Sequence, residues 1–115
     1  NLTDAQLQVI AQSGGIAGLN FAPPFLSDEG WKTWRVGLDA CIRHLDYMVE
    51  HLGEDHVALG SDFDGARMPD GIASAADLPV LVKAMEDAGF GAELIAKICH
   101  ENWLGFLGRH LEKSA

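Results

Sequence analysis

The chain has 115 residues, enough for one domain or part of one, and 48% of them are hydrophobic, with three Trp and five Phe to fill a core. Its 17 acidic and 8 basic residues give a formal charge of −9, which argues against nucleic acid and anionic membrane surfaces as partners, because both need a basic patch. No apolar run of about 18 residues occurs, so no membrane span is expected in this chain, and its first residues show no signal-peptide pattern.

Thr3-Asp4-Ala5-Gln6 is a capping-box pattern, and Leu7, Ile10 and Ala11 follow at helical spacing until Gly14-Gly15 stops the helix. Ile16 to Phe21 is a short apolar run and the first candidate strand. Ala22-Pro23-Pro24 ends it, since proline cannot donate to a ladder, and a loop through Ser27-Asp28-Glu29-Gly30 is expected next. From about Lys32, the residues Trp34, Leu38, Ile42, Leu45, Met48, Val49 and Leu52 recur at steps of three and four, which predicts a long amphipathic helix ended by Gly53. Glu54-Asp55 turns the chain into a second buried strand, Val57-Ala58-Leu59, which runs out into Gly60, Ser61, Asp62, Asp64 and Gly65. Beyond a loop with Pro69, Asp70 and Gly71, Ser74 is an N-cap for a helix over Ala75 to Ala88, with Pro79 in its first turns. Gly89-Phe90-Gly91 breaks that helix, and two more pieces follow, about Ala92 to Cys99 and about Glu101 to Leu111, before a frayed tail.

Strands separated by helical crossovers imply parallel pairing and an α/β fold. Two apolar strands need neighbours on both sides, so the chain reads as the C-terminal portion of a larger α/β protein, for which a (β/α)₈ barrel of about 250 residues is the natural whole. The opening at Asn1 without a Met fits a piece of a longer protein, so residues 1–115 are expected to be one segment of a single barrel domain. In such folds ligands gather at the carboxyl ends of strands, which makes Asp62 and Asp64 the first candidates for chemistry. Composition alone favours a plainer role, because Asp in a Gly-rich turn usually bonds its own backbone. Asn20 ends the first strand on the same side as Asp62, where it either lines a pocket or makes a structural hydrogen bond. His44, His51, His56, His100 and His110 are potential ligands, yet His51, Glu54, Asp55 and His56 straddle the other end of the second strand, and none is expected to bind metal. Trp31, Trp34 and Trp103 read as packing residues. Cys41 and Cys99 sit in helical patterns and read as buried thiols, which suits a reducing, cytoplasmic setting over an anchored extracellular one.

Gly60-Ser61-Asp62-Phe63-Asp64-Gly65 resembles the final-strand signature of the zinc dipeptidases typified by membrane (renal) dipeptidase and its bacterial relatives. Asn1-Leu2-Thr3-Asp4, the stretch from Gly14-Gly15-Ile16 to Asn20-Phe21, Leu78-Pro79 and His100-Glu101-Asn102-Trp103-Leu104 resemble other parts of that family, so the likeness covers nearly the whole chain. Gly105 departs from it, standing where the family often has Arg. The resemblance implies an amidohydrolase-type (β/α)₈ barrel, with this chain supplying strands seven and eight and their helices. It implies two zinc ions held by residues upstream of Asn1, and no metal ligand within this chain. It implies hydrolysis of dipeptide amide bonds by a metal-bound hydroxide, with Asp62 as proton shuttle, and it carries no catalytic role onto Asp64. Asn20 and Asp64 are pocket candidates by their place at the strand ends, a structural role being favoured for Asp64. The expected partners are a dipeptide and the N-terminal portion of the barrel, and a homodimer is compatible with them. The chain alone is expected to be inactive. Another amidohydrolase-like hydrolase, or a non-catalytic barrel used for binding, stands as the alternative.

Overall fold

The structure is a computed structural model and describes residues 2–27, 36–63 and 65–113. Helix α1, Asp4–Gln12, begins as its sequence demands: Thr3 Oγ1 accepts the Gln6 N–H at 3.2 Å, and Gln6 Oε1 accepts the Thr3 N–H at 2.8 Å. It ends in a Schellman turn, where Gly15 N–H bonds Ile10 O, Gly14 N–H bonds Ala11 O, and Gly14 takes a φ of +77° that a side chain resists. Strand β1 spans Ala17–Asn20. The two prolines then do more than stop it. They occupy the first positions of a short helix, α2, Pro23–Leu26, where a missing N–H costs nothing, so the loop expected after Phe21 is helical at its start.

Helix α3 spans Leu38–Leu52 and starts later than the periodicity suggested. Val36 and Gly37 are outside it, Gly37 being its extended N-cap, while the expected start at Lys32 and the face residue Trp34 lie outside the described residues. Its inner face carries Ala40, Cys41, Leu45 and Leu52, all buried. Gly53, at φ +90°, turns the chain through a 3₁₀ turn at Glu54–His56 into strand β2, Val57–Ser61. The two strands pair in parallel, as expected of a crossover through helices.

Ser74 caps as predicted, but the expected helix over Ala75 to Ala88 is divided. Ala75–Asp77 forms a 3₁₀ turn, and α4 proper spans Leu78–Asp87. Pro79 is the reason: an α-helix begun at Ala75 would need a Pro79 N–H for the Ala75 carbonyl and would drive the ring into it. Gly89, at φ +93°, closes α4 in a second Schellman turn. The next two helical pieces are not separated by coil. Helix α5, Ala92–Ala96, runs through a π-helical turn at Lys97–Glu101 into α6, Asn102–Lys113. The wide turn shifts the helix face by one residue and brings Asn102 against the start of β2. There its Nδ2 donates to Glu54 O at 2.7 Å and Val57 O at 2.8 Å.

The core joins these layers. Phe21, Leu45, Val57, Leu81, Met85 and Ile98 are fully buried between the sheet and its helices. Cys41 is buried as expected, and burial, aided by the nearby Asp39 carboxylate, pushes its thiol up to about 11. Cys99 is only partly buried, with its thiol also raised by burial. Trp103 departs from a packing role. It is 37% exposed, with its ring edge-on to Phe106 and its indole N–H donating to Leu59 O at 3.2 Å.

Candidate functional site

The site is built where β1 and β2 end side by side. In the ladder Leu19 pairs with Leu59, but Asn20 pairs with Ser61, so β2 carries one extra residue, Gly60, at that point. The backbones are close enough there that a Cβ on Gly18 would come within 3.1 Å of Gly60. Glycine at position 18 permits the approach. A bulge of this kind re-aims the side chains that follow it.

After the bulge the chain folds sharply. Ser61 and Asp62 take φ values of +38° and +73°, left-handed conformations that cost about 1–3 kcal/mol for non-glycine residues and concentrate at functional sites. They are held by a short bond from Asp62 N–H to Gly60 O at 2.7 Å, by Gly65 N–H to Asp62 O at 3.2 Å, and by Phe63 N–H to Ser61 Oγ at 3.2 Å. Phe21 N–H reaches across to Ser61 O at 2.8 Å, and the Phe21 and Phe63 rings meet edge to face, 5.7 Å apart, tying the turn to β1.

The result presents the Asp62 carboxylate, partly buried, at the carboxyl end of β2. Asn20 Nδ2 donates to Asp62 Oδ2 at 3.2 Å, while Asn20 Oδ1 accepts the Ala22 N–H at 2.8 Å. Asp62 and Asn20, singled out from sequence as separate candidates, are thus brought into one unit. Asp64, the third candidate, lies outside the described residues. Asn20 also borders a groove of about 790 Å³ between α1, β1, α2 and α3, lined as well by Leu19, Phe25, Arg43 and His44; Asp62 is not part of its wall.

His51 and His56 make structural contacts. His56 Nδ1 donates to Gly15 O at 2.7 Å, bracing the start of β2, and the His51 ring lies 4.2 Å from that of Tyr47. Tyr47 in turn donates to the Asp4 carboxylate. Lys97 pairs with Asp55 at 2.9 Å and Glu54 at 3.4 Å, which holds the Asp55 carboxyl below its usual range, chiefly through the hydrogen bond. Lys97, Glu54, Asp55 and His56 sit at the end of β2 opposite Asp62. Among the described residues no group of three or more His, Cys, Asp or Glu could hold a metal ion.

Two residues of the site escaped sequence reasoning. Ser61 gave no sign of its left-handed backbone, and Gly65 read only as a turn residue. A Cβ on Gly65 would lie 2.5 Å from Asp62 Oδ1, so glycine there keeps space open for the carboxylate.

Comparison with known proteins gives this geometry a context. The profile of the family described as membrane dipeptidase (peptidase family M19) matches residues 1–113. A Klebsiella pneumoniae protein, described as an uncharacterized protein in the pqqA 5' region, is 43% identical over 93% of this chain. A solved metallopeptidase of family M19, described as dipeptidase AC, is 50% identical over 95% of this chain with a TM-score of 0.90. A Rhodobacter sphaeroides metallopeptidase, solved with a phosphinate mimic of the dipeptide L-Ala-D-Ala, gives the same identity, coverage and TM-score of 0.90. The chain spans 40% of the Klebsiella relative and 32% and 31% of the two solved chains.

Proposed function

The chain belongs to the membrane dipeptidase family, peptidase family M19, and from that we propose that it supplies the proton-carrying carboxylate of a zinc-dependent dipeptidase. Asp62 is that group. Its setting supports the reading: a carboxylate on a strained turn at the carboxyl end of a parallel strand, held by a neighbouring amide. In the complete protein this segment forms strands seven and eight of a (β/α)₈ barrel of the amidohydrolase type, whose carboxyl-end face is where such enzymes place their chemistry.

The chain spans about a third of the solved family members, and the two zinc ions expected of the whole enzyme are assigned in this reading to residues upstream of it. The metals would supply Lewis-acid activation of water and of the scissile carbonyl. The work of this chain is with protons. Asp62 accepts one from the attacking water and returns it to the nitrogen of the departing amine, so that the amine leaves neutral. A carboxylate suits both halves, because it accepts readily and its conjugate acid donates readily.

Dipeptides with a C-terminal D-residue are the first substrates to test, because a solved relative carries a mimic of L-Ala-D-Ala. In the complete protein, Asp62→Asn is expected to reduce kcat by about 10²–10⁴-fold with zinc content unchanged. Turnover at the wild-type rate would sink the assignment. Hydrolysis of cyclic amides with no action on any dipeptide would move the protein to another amidohydrolase activity.

A further inference from the structure

The two strands end with one feature that the role of Asp62 does not itself require: an asparagine whose amide is used at both ends. We propose that Asn20 is a positioning residue for Asp62, clamping carboxylate oxygen Oδ2 so that Oδ1 is the oxygen that carries the proton. The proposal rests on the reading of Asp62 as the proton carrier and adds to it the element that aims the carboxylate.

The orientation of the Asn20 amide follows from chemistry. Its neighbour at 2.8 Å is the Ala22 N–H, a donor, so the atom facing it must be the carbonyl oxygen. That leaves the NH₂ group turned to Asp62 Oδ2 at 3.2 Å, the only sense in which an amide can serve a carboxylate. The backbone of Ala22 therefore locks the donor in place, and no rotation of the amide is free. An aspartate at position 20 could keep the Ala22 bond but would face Asp62 with a second anion.

Three further observations converge on the pair. The register shift between Leu19 and Asn20 sets Asn20 opposite Ser61, the residue just before Asp62, where an unbroken ladder would set it opposite Gly60. The left-handed turn at Ser61 and Asp62 swings the carboxylate back towards β1. On the other flank, Oδ1 faces Gly65, where any side chain would intrude. One oxygen is thus held by a donor, while among the described residues no donor reaches the other, which is what a group needs if it must present a single acceptor atom in a fixed direction.

A double-mutant cycle in the complete, metal-loaded protein tests this. Asn20→Ala is expected to lower kcat about tenfold or more while KM stays within about threefold and metal content is unchanged. In an Asp62→Asn background the same substitution should cost less than about twofold, because the group it positions is already gone. Equal fractional losses in both backgrounds, or wild-type kcat for Asn20→Ala, would overturn the positioning role and leave Asp62 untouched. Wild-type kcat for Asp62→Asn would instead remove the dipeptidase reading on which the proposal stands. Asn20→Asp guards against misfolding, since it keeps the acceptor for Ala22; it should lose at least as much kcat as Asn20→Ala, and full retention would overturn the proposal. A readout independent of turnover is hydrogen exchange in the metal-free protein. The Asn20 side-chain amide protons should exchange faster when Asp62 is changed to Ala, and an unchanged rate would count against the clamp.

Discussion

Asp62 illustrates how much a single carboxylate depends on residues that have no chemistry of their own. Gly65 contributes only the absence of a side chain, yet a Cβ there would lie 2.5 Å from Asp62 Oδ1, well inside contact distance. Gly65→Ala is therefore expected to displace the carboxylate and lower kcat by about tenfold or more, while the melting temperature moves little, because position 65 is on the surface. Steady-state kinetics beside a thermal melt checks this, and unchanged kcat would show that the carboxylate can move aside without loss. The left-handed backbone at Ser61 and Asp62 belongs to the same economy. Its conformational cost is tolerated because the bonds from Asp62 N–H to Gly60 O and from Phe21 N–H to Ser61 O define the turn from both sides.

Among the elements, the junction of α6 with β2 carries the clearest structural debt. Asn102 is 8% exposed and satisfies two backbone carbonyls, Glu54 O and Val57 O, at the entrance to the strand that ends in Asp62. Replacing it with leucine keeps bulk but leaves those acceptors without their donor, which costs about 1–3 kcal/mol for buried groups. Asn102→Leu is expected to lower stability by that amount in denaturant unfolding; a variant as stable as the wild type would mean that other donors take over both carbonyls. The π-helical turn at Lys97–Glu101 is what delivers Asn102 to this position, so its irregularity serves the strand. Such turns recur where a helix must offer one residue out of phase.

At the scale of the whole molecule, the described residues form a parallel pair of strands with their helices, and the chain matches a third or so of longer metallopeptidases. Helix α6 leaves Leu104 and Leu111 about two-thirds exposed, and Leu107 nearly half exposed, on one side of the helix. Because it spans only about a third of the solved metallopeptidases, the isolated 115-residue chain is expected to bind zinc substoichiometrically and to hydrolyse no dipeptide. Metal analysis and a dipeptide assay check both points. Tight stoichiometric zinc on this chain alone would require ligands from within it and would overturn the division of labour proposed here.

Local signals wrote much of this structure. The Thr3 and Ser74 caps, the stops at Gly14, Gly53 and Gly89, and the apolar runs of both strands are visible in the sequence, because each depends on residues within one turn of one another. Parallel pairing followed from the crossover lengths, and Asp62 stood out because a strand that ends in acids and glycines is unusual. What the sequence left open has a common character. The bulge beside Asn20, the bond between Asn20 and Asp62 across 42 residues, the bond from Phe21 N–H that ties the turn at Ser61 to β1, and the use of Asn102 under β2 all join parts of the chain distant in sequence. Propensity and periodicity act over a few residues, so they can nominate an aspartate. Only the packed ends of two strands, brought together by the core between them, decide which oxygen of that aspartate a neighbouring amide holds.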